Sequence, residues 1–528
     1  MKRFLSGPVP GFTITFFCLW LASLKLIAQE NAKKVIRNID IERHDVFTDL
    51  NRRPRFIYNW ANQLHIVTRE SVIRQELLFK SGDEYDPEIL EESERKLRGL
   101  SYFGEVTVAV KTEEEAFVDV MVTTQDQWST IVAYVFERGG GRTTFGGGIE
   151  EFNFLGLGKR IFTEITHEVS EGTQINLRYT DPQLFSSRWT AQENFVTGPF
   201  LKNYSARIIR PFYALDTKWA YGFTGFVRDQ TRRFFANSLE VDRFRDEKEE
   251  FQVFGARAFG GRFHKKRVQL NYRFSNKDIT SLPDTTIVPL PDDEVSHALI
   301  LTATFENLSF VEETQIDKFV RVEDLTLGNV TQISLGRTGI PFPNGVKRFE
   351  LRAVRSEVHQ IFDRQYLLLT IGIQTLFEKN TIASLRLRYY NKLFKQQTLA
   401  FNFEFDYADK LEDSQLLLGG DSGLRGYPAR AFAGDKRLLL NVEDRIFSSL
   451  NILTVQLGGV LFFDAGNVWK EEASINLNDL NYSAGFGLRL GYVKSPDSRV
   501  GRIDFGWALN RGGGFGIVIG VDQIFSLN

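Results

Sequence analysis

From Trp128 to Asn528, about 400 residues, apolar and polar side chains alternate with a period of two. That pattern commits most of the chain to β-strands with two unlike faces. Across Tyr482 to Tyr492 the even positions hold Tyr482, Ala484, Phe486, Leu488, Leu490 and Tyr492, while the odd ones hold Ser483, Gly485, Gly487, Arg489 and Gly491. Ile503, Phe505 and Trp507 alternate with Arg502 and Asp504, and Leu399, Phe401, Phe403 and Phe405 with Asn402, Glu404 and Asp406. Leu385 and Leu387 alternate with Arg386 and Arg388. A soluble sandwich alternates too, with its apolar face inward. Three features favour the inverse arrangement, apolar outside. The strand-like runs are about 9 to 11 residues, the length that crosses a bilayer when tilted. Aromatic residues gather near their ends, where a membrane barrel places interfacial girdles. The N-terminus reads as an export signal. The expected fold is therefore mainly β, a transmembrane antiparallel barrel over residues 128–528.

Residues 1–28 carry that signal. Lys2 and Arg3 form the charged start, Phe12 to Leu24 the apolar core, and Ala28-Gln29 the cleavage site. An uncleaved anchor helix is the alternative, although the segment is short for spanning. Cys18 is the single cysteine and lies inside the signal, so the mature chain is expected to have no disulfide and no thiolate metal site. With 65 basic and 67 acidic side chains the charge is balanced, and no basic footprint for nucleic acid stands out. Mean hydropathy is −0.22, and beyond residue 30 no apolar run approaches the length of a spanning helix.

Residues 33–125 have a different texture. Val35 to Arg43 alternates as a strand, followed by a polar connection through Pro54. A helix opens at Thr68–Ser71, carries Val72, Ile73, Glu76, Leu77 and Phe79, and stops at Ser81-Gly82-Asp83. Asp86-Pro87 starts a second helix, with proline at its first position and Leu90, Leu97 and Leu100 on its inner face. Glu105–Lys111 and Ala116–Thr124 form a hairpin rich in valine. The polar, turn-rich stretch 278–296, with Pro283, Pro289 and Pro291, reads as an external loop.

The order strand, helix, helix, strand, strand, with Gly82-Asp83, Leu97-Arg98 and Tyr102-Phe103-Gly104, resembles a POTRA domain in a single copy. Five further motifs stand in sequence: Phe152-Asn153-Phe154-Leu155-Gly156-Leu157-Gly158, Tyr179 to Phe185, Leu424-Arg425-Gly426-Tyr427, Asn441 to Arg445, and Phe463-Asp464-Ala465-Gly466. Together they resemble the BamA/TamA superfamily of outer-membrane proteins over essentially the whole mature chain. The resemblance implies about 16 barrel strands, fewer than the roughly 18 to 20 runs the patterning offers. Some runs between 325 and 375 are then expected to be loop or halves of one bent strand. It also implies a lid loop, about 407–437, folded into the lumen with Arg425, Gly426 and Tyr427 at its tip and Asp464 as the partner of Arg425. Strand parity agrees: Val455, Leu457, Gly459, Leu461 and Phe463 share one face, which puts Asp464 on the other, toward the lumen. Glu443 falls on the polar face of its strand as a second acceptor, beside Arg445. The pair reads either as a functional gate or as a staple that only holds the loop. A lateral opening between first and last strands is implied as well, beside Gly139–Gly141, Gly146–Gly148 and Gly512–Gly514. Gly520 to Phe525 resembles the aromatic-ended assembly signal of such barrels, with Gln523 where a hydrophobic residue is expected.

The resemblance implies an assembly, insertion or translocation factor of a Gram-negative outer membrane, its N-terminal domain in the periplasm. Clients join the POTRA sheet edge as an added strand. Unfolded or nascent outer-membrane or secreted proteins are the implied partners, with periplasmic chaperones or accessory factors and the surrounding lipid. A dedicated two-partner-type secretion pore and a passive channel are the alternatives. No enzyme activity, cofactor or metal is expected. Gly420-Asp421-Ser422-Gly423 imitates a serine-protease loop but continues as Leu-Arg, the six histidines are scattered, and neither a Gly-Lys-Ser/Thr phosphate loop nor His-Glu-x-x-His occurs.

Overall fold

The structure, a computed structural model, describes residues 34–47, 55–139, 142–283, 285–287, 290–319, 322–340, 347–377, 379–392, 394–452, 455–492, 500–510 and 512–526. The expected signal segment and Gly140-Gly141 lie outside them. Near the N-terminus Val35–His44 (β1), Phe103–Glu113 (β2) and Phe117–Asp126 (β3) form a sheet in the order β1-β3-β2, with β1 parallel and β2 antiparallel to β3. Helices α1 (Arg55–Leu64), α2 (Glu70–Glu76) and α3 (Pro87–Arg98) lie between β1 and β2. Ile36, Ile73, Leu77, Leu90, Leu97, Val106, Val108, Val118, Val120 and Val122 make one core, the alternate residues of the hairpin meeting the inner faces of α2 and α3. Asp86 caps α3 by accepting from the Glu88 N–H at 2.9 Å, ahead of Pro87. Two expectations change here. The connection through Pro54 contains α1, whose Phe56 and Trp60 face outward, so no core-facing stripe marked it. The helix over Val72 ends at Glu76, before Phe79.

Among the described residues twenty strands, from Thr130–Gly139 to Phe515–Val521, close into one antiparallel barrel. The count of 16 is corrected: Glu323–Thr338, Phe349–Phe362 and Gln365–Leu376 are three full strands, each paired on both sides. Among the described residues no helix is long and apolar enough to cross a membrane; the apolar surface lies on the outside of the barrel, where Tyr134, Ile165, Leu301, Leu335, Ile371 and Leu461 are all exposed. The expected 9–11 residues per strand hold on only part of the circumference. The strands from Thr130 to Arg210 have 8 to 10 residues. Those from Trp219 to Glu313 have 18 to 22. The extra length rises at the end away from the POTRA-like sheet: Leu201 pairs with Gln230, and Thr231 to Ala236 continue beyond it against Leu239 to Arg245.

Among the described residues the first and last barrel strands share one register pair, Arg138 with Ile517. Neighbouring strands elsewhere share seven or more. The segment between Asp409 and Lys436 turns into the barrel and carries a small two-stranded piece, Leu416–Leu418 against Phe432–Gly434.

Candidate functional site

Strand parity puts the polar faces of Lys436–Ile452, Val455–Trp469, Asn481–Tyr492 and Val500–Ala508 in the lumen, and their central side chains converge on the lid tip. Arg425, fully buried, donates through Nε and Nη2 to Asp464 Oδ2 and Oδ1 at 2.8 and 2.7 Å, a two-point grip that fits the planar guanidinium. Its Nη1 donates to Glu443 Oε1 at 2.9 Å and lies 3.5 Å from Asp504 Oδ2. The ring of Phe462 lies beneath it, 3.4 Å from the guanidinium carbon, so the cation has an aromatic face as well as carboxylates. Asn441 Nδ2 ties Asp464 Oδ1 to the Gly423 carbonyl, both at 2.7 Å. Ser483 Oγ donates to Asp464 Oδ2 at 3.3 Å.

The rest of the tip fits the same wall. Gly426 has φ +86, and a Cβ there would stand 2.8 Å from the Ala508 nitrogen, so both backbone shape and space require glycine. The Gly514 N–H donates to the Gly426 carbonyl at 3.1 Å, and Tyr427 Oη donates to the Tyr482 carbonyl at 3.1 Å. The tip therefore rests on the hairpin that ends in the last barrel strand. The other side of the lid reaches the tall wall. The Phe235 N–H donates to Gln415 Oε1 at 2.8 Å, and Arg232 and Lys277 each stand 3.7 Å from Asp413.

All of the expected lumen group, Arg425, Asp464, Glu443 and Arg445, comes together: Glu443 Oε2 accepts from Arg445 Nε at 3.0 Å. Gly520 stays on the last strand, opposite Arg502. Phe525 departs from what an aromatic strand end implies. It leaves the strand and is buried inside the barrel among Ile316, Leu325, Tyr366 and Tyr390. Asp504 and Arg489 were legible as members of polar faces without standing out as site residues; they pair at 2.6 Å. Phe462 breaks the parity rule by being apolar on the lumen face, and its position under Arg425 is the reason.

The first two motifs serve a second place. The Thr68 N–H and Oγ1 donate to Asp126 Oδ2 at 2.7 and 2.8 Å, and Asn153 Nδ2 donates to Thr68 Oγ1 at 2.7 Å. The Arg69 N–H donates to the Gly156 carbonyl at 2.9 Å, and Gln183 Nε2 donates to Glu76. Arg98 bonds Asp324 and Glu312, and Arg262 bonds Glu88. The N-terminal module is thus fastened to the barrel turns from Asn153 round to Asp324.

The family model for POTRA, described as "Surface antigen variable number repeat", matches residues 64–127. A POTRA domain leads directly into a closed barrel with an Arg-Gly-Tyr lid held on an Asp-x-Gly strand. The family model thus bears out a POTRA domain over residues 64–127. Among solved structures similar to this chain is BamA from Haemophilus ducreyi lacking POTRA domains 1–3, at 13% identity over 92% of this chain and 84% of that one, with a TM-score of 0.39. CdiB from Acinetobacter baumannii aligns at 13% identity over 93% and 74%, TM-score 0.45. CdiB from Escherichia coli aligns at 11% over 92% and 76%, also 0.45. No curated protein sequence matches.

Proposed function

We propose that this protein inserts or translocates client polypeptides at the outer membrane. Residues 1–28 direct export, the POTRA module over residues 33–125 stands in the periplasm, and residues 128–528 form the membrane barrel. A client arrives unfolded, with or without a periplasmic chaperone. It adds a strand to β2, whose outer edge pairs with no strand among the described residues. It then meets the seam, where one register pair joins the two strands among the described residues, so opening there costs far less than parting any other two strands. That single pair is the observation that carries the reading. The lid tip lies on the hairpin next to the seam, so Arg425, Gly426 and Tyr427, with Asp464, Glu443 and Arg445, act as the latch that sets when the seam opens. Gly520 and Phe525 serve as an assembly signal before this chain itself has folded, since folding hides Phe525. The free energy comes from folding of the client, not from a cofactor.

A secretion pore is the second reading, and one observation favours it: twenty strands enclose a wider lumen than 16 would. A seam lock separates the two. In a Cys18→Ser chain, Arg138→Cys with Ile517→Cys places a disulfide across the one register pair. We expect oxidation to stop client assembly and reductant to restore it. Assembly that continues with the lock fully formed overturns the lateral route. Loss of a single secreted protein, with the outer-membrane barrels unchanged, identifies the pore.

A further inference from the structure

Two segments that are not part of the wall fill the POTRA end of the lumen. One is the connection after strand Glu294–Glu313. The Glu323 carboxylate accepts from the N–H groups of Ile316, Asp317 and Lys318, which sets a fixed turn. The turn reaches across part of the lumen to strands Gln397–Asp409 and Lys436–Ile452. Thr398 Oγ1 donates to the Gln315 carbonyl at 2.6 Å, and Arg445 Nη1 donates to the Ile316 carbonyl at 3.1 Å and to Asp317 Oδ1 at 2.7 Å. Phe319 is buried against Phe447, on the bare backbone of Gly458 and Gly491. The other segment is the tail after Val521. Gln523 accepts from Arg489 Nε at 2.9 Å and donates to the Asp317 carbonyl at 3.2 Å. The carbonyls of Phe525 and Ser526 accept from Arg445 Nη2 and Arg388 Nη1 at 2.6 and 2.5 Å.

We propose that residues 314–319 and the tail 522–526 form an inner plug, that the lumen wall around Arg445, Tyr366 and Tyr390 is a socket for an extended peptide bearing an aromatic side chain, and that Glu443 couples this plug to the outer lid. The socket is built for a peptide: arginines hold two successive main-chain carbonyls, while the ring of the occupant is enclosed by apolar and aromatic side chains, with the Arg445 guanidinium 4.7 Å from its centroid. The chain's own tail is the resident occupant. The coupling follows from Glu443, which spends one oxygen on Arg425 of the lid and the other on Arg445 of the socket. All three are buried, so water cannot replace a lost partner, and withdrawing Arg425 changes the field that holds Arg445. Linkage is reciprocal, so release of the plug must loosen the lid by the same factor.

This inference rests on the reading that the lid moves during the working cycle, and its test reads the plug and not client assembly, so either can fail alone. In a Cys18→Ser, Phe319→Cys chain reconstituted in nanodiscs, the rate of reaction with a charged maleimide reports release of the plug. Arg425→Ala is expected to raise that rate about ten-fold, with the folded barrel verified by heat-modifiable gel mobility. In a Glu443→Gln background the response to Arg425→Ala is expected to disappear. An unchanged rate in the folded Arg425→Ala protein overturns the coupling. Should that variant not fold, the reverse pair decides: Gln523→Ala is expected to raise labelling of Leu424→Cys, and no rise overturns the proposal. For the socket, a synthetic peptide of residues 521–528 added to protein lacking 523–528 is expected to protect residue 319 again, while the Phe525→Ala peptide is not. Protection by neither peptide, or by both equally, overturns the aromatic socket.

Discussion

Two adjacent parts of one barrel are closed in opposite ways. From Lys436 to Ala508 the wall is joined by full strand ladders and braced inside by Arg425, Asp464, Glu443, Asp504 and Arg489, all buried. One strand further on, the barrel closes through a single register pair among the described residues. The side chains that stiffen the wall therefore stop beside the place where it is weakest. A barrel that needed only stability would spread its pairing evenly. In the proposed function, concentrating rigidity next to a nearly unpaired edge lets a lid on the rigid side control the loose one.

The largest expected effect comes from removing the centre of the brace. Arg425→Ala leaves three carboxylates around a buried gap, and losing one partner of such a set costs about 3–5 kcal/mol. If the latch reading holds, client assembly falls further than the amount of folded barrel. An equal fall in both, or unaltered assembly, would reduce the arginine to a staple and erase the contrast between wall and seam. Gly426→Ala comes next. Its positive φ and the close Ala508 nitrogen make any side chain cost about 1–3 kcal/mol. The expected result is a lid that remains in the lumen but reacts faster with proteases added outside, with no change in the barrel's unfolding temperature.

The smallest effect lies at the end of β3, just before the first barrel strand. Burial raises the Asp126 carboxyl to about 6, against the hydrogen bonds from Thr68. With the folded pKa above the unfolded one, this group's contribution to folding is complete below the ordinary carboxylate range and is lost as pH rises through about 6. Asp126→Asn should flatten the pH dependence of hydrogen exchange in α2 between about pH 4 and pH 7, by on the order of 1 kcal/mol. A dependence that persists would place the titration elsewhere in the joint between POTRA and barrel.

Much of this was legible in the sequence because strand parity is a strict rule. Asp464 had to share a face with the lumen once Leu461 and Phe463 were assigned to lipid, and Glu443 followed in the same way. Parity failed where packing against the lid outweighed it. Phe462 looks misplaced until Arg425 lies over it, and Gln523 looks like a flawed signal until Arg489 and the Asp317 carbonyl claim it. The strand number was misjudged because a family expectation was set above the pattern. The runs between 325 and 375 carry the same alternation as their neighbours and form strands of their own. Asp317 had no local signal at all, since only the folded chain carries that turn across the lumen to Arg445. Helix α1 was hidden because Phe56 and Trp60 point away from the core that patterning is used to find.

In the proposed orientation, with the POTRA end inward, the unequal strand lengths have a consequence for the cell surface. A bilayer is crossed by about 9–11 tilted residues, yet Leu239–Gly260 has 22 and rises away from the POTRA end. Half of that strand must stand in the medium, bearing Arg245 with Asp229 and Glu247, and Arg233 with Glu240. The rim is therefore a one-sided parapet, high over Trp219–Glu313 and level with the headgroups at the seam. A polypeptide leaving sideways meets lipid at once, whereas one leaving upward must first pass along a charged palisade.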